Sequence, residues 1–183
     1  MLEYVAAAFG AAYIVLAILQ LRACWIAGCA STALAIVVFI ETGLPLQAAL
    51  QILYVILAVY GWVAWRPGGD APARPQSWPL SRHVIALAAV VLASAVSAPL
   101  LARFGASAAP VAESLGTWAS VAATWMLARR CIESWLWWIV IDAGLAVLFA
   151  QQGLLFFAAL YAAFGALAVV GWRSWRRSQP VAS

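Results

Sequence analysis

Runs of about 20 apolar residues follow one another along nearly the whole chain, separated by short polar or Gly- and Pro-containing joints. Wound as a helix, a run of that length crosses a hydrocarbon core about 30 Å thick. A helix also pairs its own backbone groups, so none is left bare in lipid. The runs predict seven helices, at about 3–21, 25–43, 45–65, 84–103, 112–128, 134–151 and 153–172. Gly43-Leu44-Pro45 and Gln151-Gln152-Gly153 read as tight turns, since Gly permits a reversal and Pro suits a first helical turn. The Pro- and Gly-rich stretch from Arg66 through His83 reads as a polar loop, and the tail after Arg177 as short and unstructured.

Composition decides where such helices belong. Of 183 residues, 67% are hydrophobic and only 9% charged, against about 25% charged in a soluble domain. Too few charges remain to cover a water-facing surface, so the expected fold class is an all-α integral membrane protein with seven transmembrane helices. The first run starts at Leu2 with no basic flank and no small-residue cleavage site after it, so it is expected to be a retained span rather than a signal peptide.

The cations report orientation. All ten are Arg. With seven spans, Arg22, Arg66, Arg74, Arg82, Arg129, Arg130, Arg173, Arg176 and Arg177 fall on one side, and Arg103 alone on the other. By the positive-inside rule the first side is cytoplasmic, which places the N-terminus outside and the C-terminus inside a cell (inner) membrane. Arginines scattered over short loops do not form a basic groove, so no nucleic-acid partner is expected. Cys24, Cys29 and Cys131 form no CxxC pair and read as free thiols, neither a disulfide framework nor a metal site.

Shifting the chain by 110 residues aligns its halves without a gap. Glu3 meets Glu113, Trp25 meets Trp135, and Phe39 and Gly43 meet Phe149 and Gly153. Gly61-Trp62-x-x-Trp65-Arg66 meets Gly171-Trp172-x-x-Trp175-Arg176. Matches of Ala and Leu carry little weight in so apolar a chain, but charges and Trp are constrained by depth. The implied arrangement is 3+1+3: a three-helix repeat in 1–66, a loop and linker helix in 67–110, a second repeat in 111–176 and a tail in 177–183. An odd linker makes the repeats parallel, as in an enlarged SWEET-type carrier. Substrate sites in repeat-built carriers lie near the midplane between the repeats.

The polar residues inside the spans are few. Asp142 stands mid-span among Ile139, Val140, Ile141 and Ala143, with Thr32 as its repeat mate. A carboxylate there costs about 2.5–3.5 kcal/mol even on the gentler insertion scales. Asp142 reads as a substrate or ion contact, with a structural hydrogen bond to a neighbouring helix as the competing reading. Trp135, Trp138 and Asp142 lie at i, i+3 and i+7 and share a helix face. Rings beside a carboxylate suit a flat cation, although Trp135 near the span end also suits an aromatic belt. Gln47, Gln51 and Tyr54 share a face of the third span as further pore candidates. Trp118, Thr124 and Trp125 are weaker ones. Glu3, Glu41, Glu113 and Glu133 fall near span ends and read as structural, and His83 reads as a loop residue without chemistry. No nucleophile–base pair, metal-ligand spacing or phosphate-binding loop appears, so neither an enzyme nor a cofactor is expected.

These residues resemble the PnuC family of vitamin uptake transporters over nearly the whole chain. The resemblance rests on Trp25-x-x-Gly28, on Gln51 followed by Tyr60-Gly61-Trp62-x-x-Trp65, and on Glu133-Ser134-Trp135-x-x-Trp138-x-x-x-Asp142. It implies facilitated diffusion of a small cationic vitamin, chiefly nicotinamide riboside and in some branches thiamine, with a cytoplasmic kinase trapping the product. On that pattern Trp138 and Asp142 bind the substrate and Gln51 lines the cavity. Nicotinamide riboside carriers of the family have Asn where this chain has Asp142; Asp occurs in other branches, thiamine-type proteins included. An ion-coupled carrier using Asp142 is the remaining alternative. Membrane lipid is the obligatory partner, and a homo-oligomer is compatible with the sequence without being specified by it.

Overall fold

The computed structural model describes residues 2–41, 45–103, 109–151, 153 and 155–179. The side chains of residues 2–4, 45–47 and 49 are outside the description. Among the described residues the chain forms α1 (Leu2–Ile18), α2 (Cys24–Glu41), α3 (Pro45–Ala64), α4 (Leu80–Arg103), α5 (Pro110–Ala128), α6 (Ser134–Gln151) and α7 (Leu155–Arg177). Their lengths run from 17 residues in α1 to 24 in α4, the range that spans a bilayer. Helices α2, α4, α6 and α7 are long and apolar enough to cross a membrane by length and composition alone. Large apolar side chains stand exposed on every helix, from Val5 on α1 to Phe156 on α7. Such surface is tolerable only against lipid.

Packing follows the repeat. Helix α2 packs between α1 and α3, and α6 between α5 and α7. The repeats meet where α1 lies on α7 and α3 on α5. Among the described residues, helix α4 touches only α5 of the other helices. Its buried residues, Val90, Ser94, Ala98 and Leu101, form the single stripe that a peripheral helix needs.

Matched details show that the two copies fold alike. Gln20 after α1 and Arg130 after α5 are 110 residues apart and adopt left-handed φ of 58° and 53°. In each case the next residue closes the helix end: Leu21 N donates to Leu16 O and Cys131 N to Met126 O, both at 2.9 Å. Gly61 and Gly171 seat the rings of Trp25 and Trp135: a Cβ would lie 2.3 Å from the first ring and 2.6 Å from the second. The Gly of each GWxxWR segment is therefore a socket for a Trp on the preceding helix.

The two sockets bring four indoles together at the repeat interface. Trp25 stacks edge-on to Trp65 at 5.4 Å, Trp65 meets Trp175 at 6.1 Å, and Trp175 meets Trp135 edge-on at 5.5 Å. The ends of α1, α3, α5 and α7 are tied at this same end of the bundle. Arg22 donates to Trp62 O at 2.7 Å, Arg129 to Tyr60 Oη at 3.2 Å, and Gln20 Nε2 to Ser178 Oγ at 3.1 Å.

Several sequence-based boundaries shift. Helix α1 stops at Ile18 rather than near 21, because Gln20 turns left-handed. Helix α4 begins at Leu80, directly after Pro79, so His83 lies in its first turn and not in a loop. Helix α7 continues to Arg177, and Ser178 is docked on Gln20; residues 180–183 fall outside the description. Gly153, with φ of 76°, supports the second tight turn, while Gly43 and Leu44 of the first are outside the described residues.

Candidate functional site

One face of α6 carries Trp135, Trp138 and Asp142 to a cavity of about 190 Å³ between α1, α6 and α7. Its other walls include Gly10 and Tyr13 of α1, Leu127 of α5, and Tyr161 and Phe164 of α7. Gly165 of α7 faces Asp142, and a Cβ there would make ordinary contact at 3.5 Å from Asp142 Cβ. Asp142 is only 4% exposed.

A second cavity of about 120 Å³ adjoins it and shares Gly10, Tyr13 and Trp138. Its other walls include Trp25, Gly28, Thr32, Tyr54 and Thr124. It is the repeat mate of the first. Trp25, Thr32, Tyr54 and Ala58 stand where Trp135, Asp142, Phe164 and Ala168 stand, 110 residues on. Gly28 occupies the position of Trp138, and the Tyr13 ring takes the space beside it, 3.0 Å from where a Cβ would lie. Together the cavities reach the lower end of the volume of small-molecule pockets, about 300 Å³.

The mates differ in their polar chemistry. Thr32 is satisfied on its own helix, donating to Gly28 O at 2.9 Å, as hydroxyls in apolar helices commonly do. Asp142 makes no hydrogen bond or ion pair among the described residues. Three buried donors likewise lack a hydrogen-bond partner there: Tyr13 Oη, Trp25 Nε1 and Trp135 Nε1. An unpaired buried carboxylate and unpaired buried donors are each costly. Concentrated around two adjoining cavities walled by aromatic rings, they suit a flat ligand with polar edges and a positive charge.

The structure brings Trp135, Trp138 and Asp142 to one cavity and Tyr54 to the adjoining one. Tyr54 also donates to Thr117 O at 3.4 Å. Gln51 is half-buried and lines neither cavity, and the Gln47 side chain lies outside the described residues. Of the weaker candidates, Thr124 lines the second cavity, whereas Trp118 and Trp125 face a groove between α4 and α5. Sequence reasoning missed Tyr13 and Tyr161. Tyr161 carried a signal, being the repeat mate of Gln51; a lone Tyr13 in an apolar span carried none. The three cysteines are free thiols.

Seven helices in two parallel three-helix units, joined by a peripheral linker and closing on a buried polar site, define a multi-pass membrane carrier. Residues 1–177 match the nicotinamide mononucleotide transporter family, and the chain belongs to that family of transporters. Among curated proteins it is 30% identical to the riboflavin/roseoflavin transporter RibM of Streptomyces davaonensis, covering 74% of this chain and 68% of that protein. It is 24% identical to the nicotinamide riboside transporter PnuC of Escherichia coli, over 78% of this chain and 71% of that one. The crystal structure of the vitamin B3 transporter PnuC shares the fold, with a TM-score of 0.74 at 21% identity, over 97% of this chain and 83% of the other.

Proposed function

We propose that this transporter takes up nicotinamide riboside by facilitated diffusion, holding it in the two adjoining cavities, with intracellular phosphorylation trapping the product. The observation that carries this reading is Asp142, a buried carboxylate with no hydrogen-bond or ion-pair partner among the described residues, in the same cavity as the ring of Trp138. A pyridinium against the ring, with its charge near the carboxylate, satisfies both groups. Tyr13 Oη and the indole N–H groups of Trp25 and Trp135 are suited to the amide and ribose oxygens. We place the arginine-rich ends of α1, α3, α5 and α7 in the cytoplasm by the positive-inside rule, with the repeats bounded near 66 and 111. Thiamine, also a flat cation, would use the same two side chains.

A second reading is riboflavin, favoured by the 30% identical relative that transports it. A neutral flavin would fill the aromatic walls but leave Asp142 without a counter-charge. Proteoliposome uptake of radiolabelled nicotinamide riboside, thiamine and riboflavin separates the three. Saturable entry of nicotinamide riboside, indifferent to an imposed pH gradient, supports the proposal. Entry of riboflavin or thiamine alone replaces the cargo, and entry that follows the pH gradient replaces facilitated diffusion with ion coupling.

A further inference from the structure

At the arginine-rich end, the segment between α3 and α4 is strapped onto the turn between α5 and α6. Gln76 N donates to Arg130 O at 2.9 Å and Ile132 N to Gln76 O at 3.0 Å. Trp78 N donates to Glu133 Oε2 at 3.1 Å. The strap delivers the first turn of α4, and with it His83, to Cys131 and Glu133.

There, one nitrogen, one sulfur and one carboxylate oxygen lie within 4.8 Å of one another. Cys131 Sγ is 3.1 Å and His83 Nε2 3.9 Å from the same Glu133 oxygen. The imidazole nitrogen is buried and has no hydrogen-bond partner among the described residues. Cys131 is fully buried, while the His83 and Glu133 side chains are 16% and 22% exposed, which leaves an entry route from the aqueous side. Arg130 does not compete for the centre: its guanidinium reaches Ala73 O and lies 4.6 Å over the Trp65 ring.

We propose that His83, Cys131 and Glu133 form a binding site for one divalent transition-metal ion of the zinc class, pinning the linker helix to the second repeat. Zinc takes thiolate at about 2.3 Å and imidazole or carboxylate at about 2.0–2.2 Å in a tetrahedron, whose edges are then about 3.2–3.7 Å. The two distances above bracket those edges, and the third pair of ligand atoms lies within 4.8 Å. A mixed S, N, O set matches a borderline-soft cation better than magnesium or calcium, which prefer oxygen alone. Burial, reinforced by the neighbouring Glu133 carboxylate, pushes the Cys131 thiol well above its ordinary value. Glu133, although burial opposes its charge, is held below the usual carboxylate range by hydrogen bonds from Cys131 and the Trp78 backbone. Binding therefore transfers the Cys131 proton to solvent as the S–metal bond forms, with no change of oxidation state. Three protein ligands leave the fourth position to water.

The test titrates Co²⁺ into the purified full-length chain in detergent and reads the sulfur-to-cobalt charge-transfer band, with Zn²⁺ as competitor. The expected result is one Co²⁺ per chain, displaced by Zn²⁺, with the band absent from Cys131→Ser and affinity at least tenfold weaker in His83→Ala. Absence of the band from the wild type, or its survival in Cys131→Ser, overturns the site. If Cys131→Ser does not fold, the partly exposed His83→Ala decides: unchanged Co²⁺ affinity there also overturns it.

Discussion

Trp65 and Trp175 meet at the repeat interface with ring centroids 6.1 Å apart, and each donates its indole N–H to the first helix of the other repeat. Trp65 bonds Ala128 O at 2.9 Å and Trp175 bonds Ala17 O at 3.1 Å. Both acceptors sit in the last turn of a helix, where carbonyls lose their usual i+4 donor; Ala17 O also accepts from Gln20 N at 3.0 Å, whereas Ala128 O has no backbone donor among the described residues. The final Trp of each GWxxWR segment thus caps a helix in the opposite repeat, and the exchange locks the two halves together. Replacing Trp65 by Phe leaves the Ala128 carbonyl unsatisfied, a loss of about 1–3 kcal/mol, whereas the Ala17 carbonyl keeps Gln20 N as a donor when Trp175 is replaced. Thermal unfolding in detergent should show a larger loss for Trp65→Phe than for Trp175→Phe. An unchanged midpoint for Trp65→Phe would argue against the capping role.

The Gly61 and Gly171 sockets predict a matched sensitivity. A methyl group at either site collides with a buried indole, and overpacking of this kind costs about 1–3 kcal/mol, occasionally more. Gly61→Ala and Gly171→Ala should each lower the unfolding midpoint by several degrees. Gly144→Ala, where a Cβ meets nothing within 4 Å, should leave it unchanged or raise it. Equal behaviour of all three variants would contradict the socket role.

Trp138 shares the Asp142 cavity and lines both cavities. Loss of a cation–π contact costs about 0.5–2 kcal/mol, so Trp138→Ala should weaken nicotinamide riboside binding about two- to thirtyfold. Trp138→Phe should recover part of that loss. Binding competition on purified protein reads both, and an unaffected Trp138→Ala removes the ring from the site.

Gln51 and Tyr161 are repeat mates, and only Tyr161 faces the Asp142 cavity. Gln51→Ala should therefore leave affinity within about twofold, the scale of a change away from a packed site. Tyr161→Ala should weaken binding by more. The reverse order would restore Gln51 as the cavity residue that the family resemblance implies.

Much of this architecture is legible in the sequence because lipid sharpens the signal. Charges and Trp are tied to depth, so the seven spans, the 110-residue offset and the paired GWxxWR endings stand out. Asp142 is legible for the same reason, and helical spacing attaches Trp135 and Trp138 to its face. Helix ends are less visible: Leu19-Gln20-Leu21 reads as continued helix, and only the left-handed Gln20 ends it. His83 was hidden by its polar neighbours, which suit an exposed first turn as well as a loop. Which helices flank α6 is a tertiary fact. Periodicity places Gln51 and Tyr54 on one face of α3, but α6 packs on α7, so Tyr161 and Phe164 line the Asp142 cavity instead. Tyr13 comes from α1 through the repeat interface, a contact no local pattern announces.

The central claim is that the unpaired Asp142 carboxylate holds the positive charge of the cargo. Its most direct test is equilibrium binding of nicotinamide riboside to the wild type and to Asp142→Asn, with unfolding midpoints confirming that both are folded. A hydrogen bond or ion pair to a charged group is worth about 1.5–3 kcal/mol, so the variant should bind at least tenfold more weakly while keeping its stability. Equal affinity in the two folded proteins, or no nicotinamide riboside binding by the wild type, would contradict it.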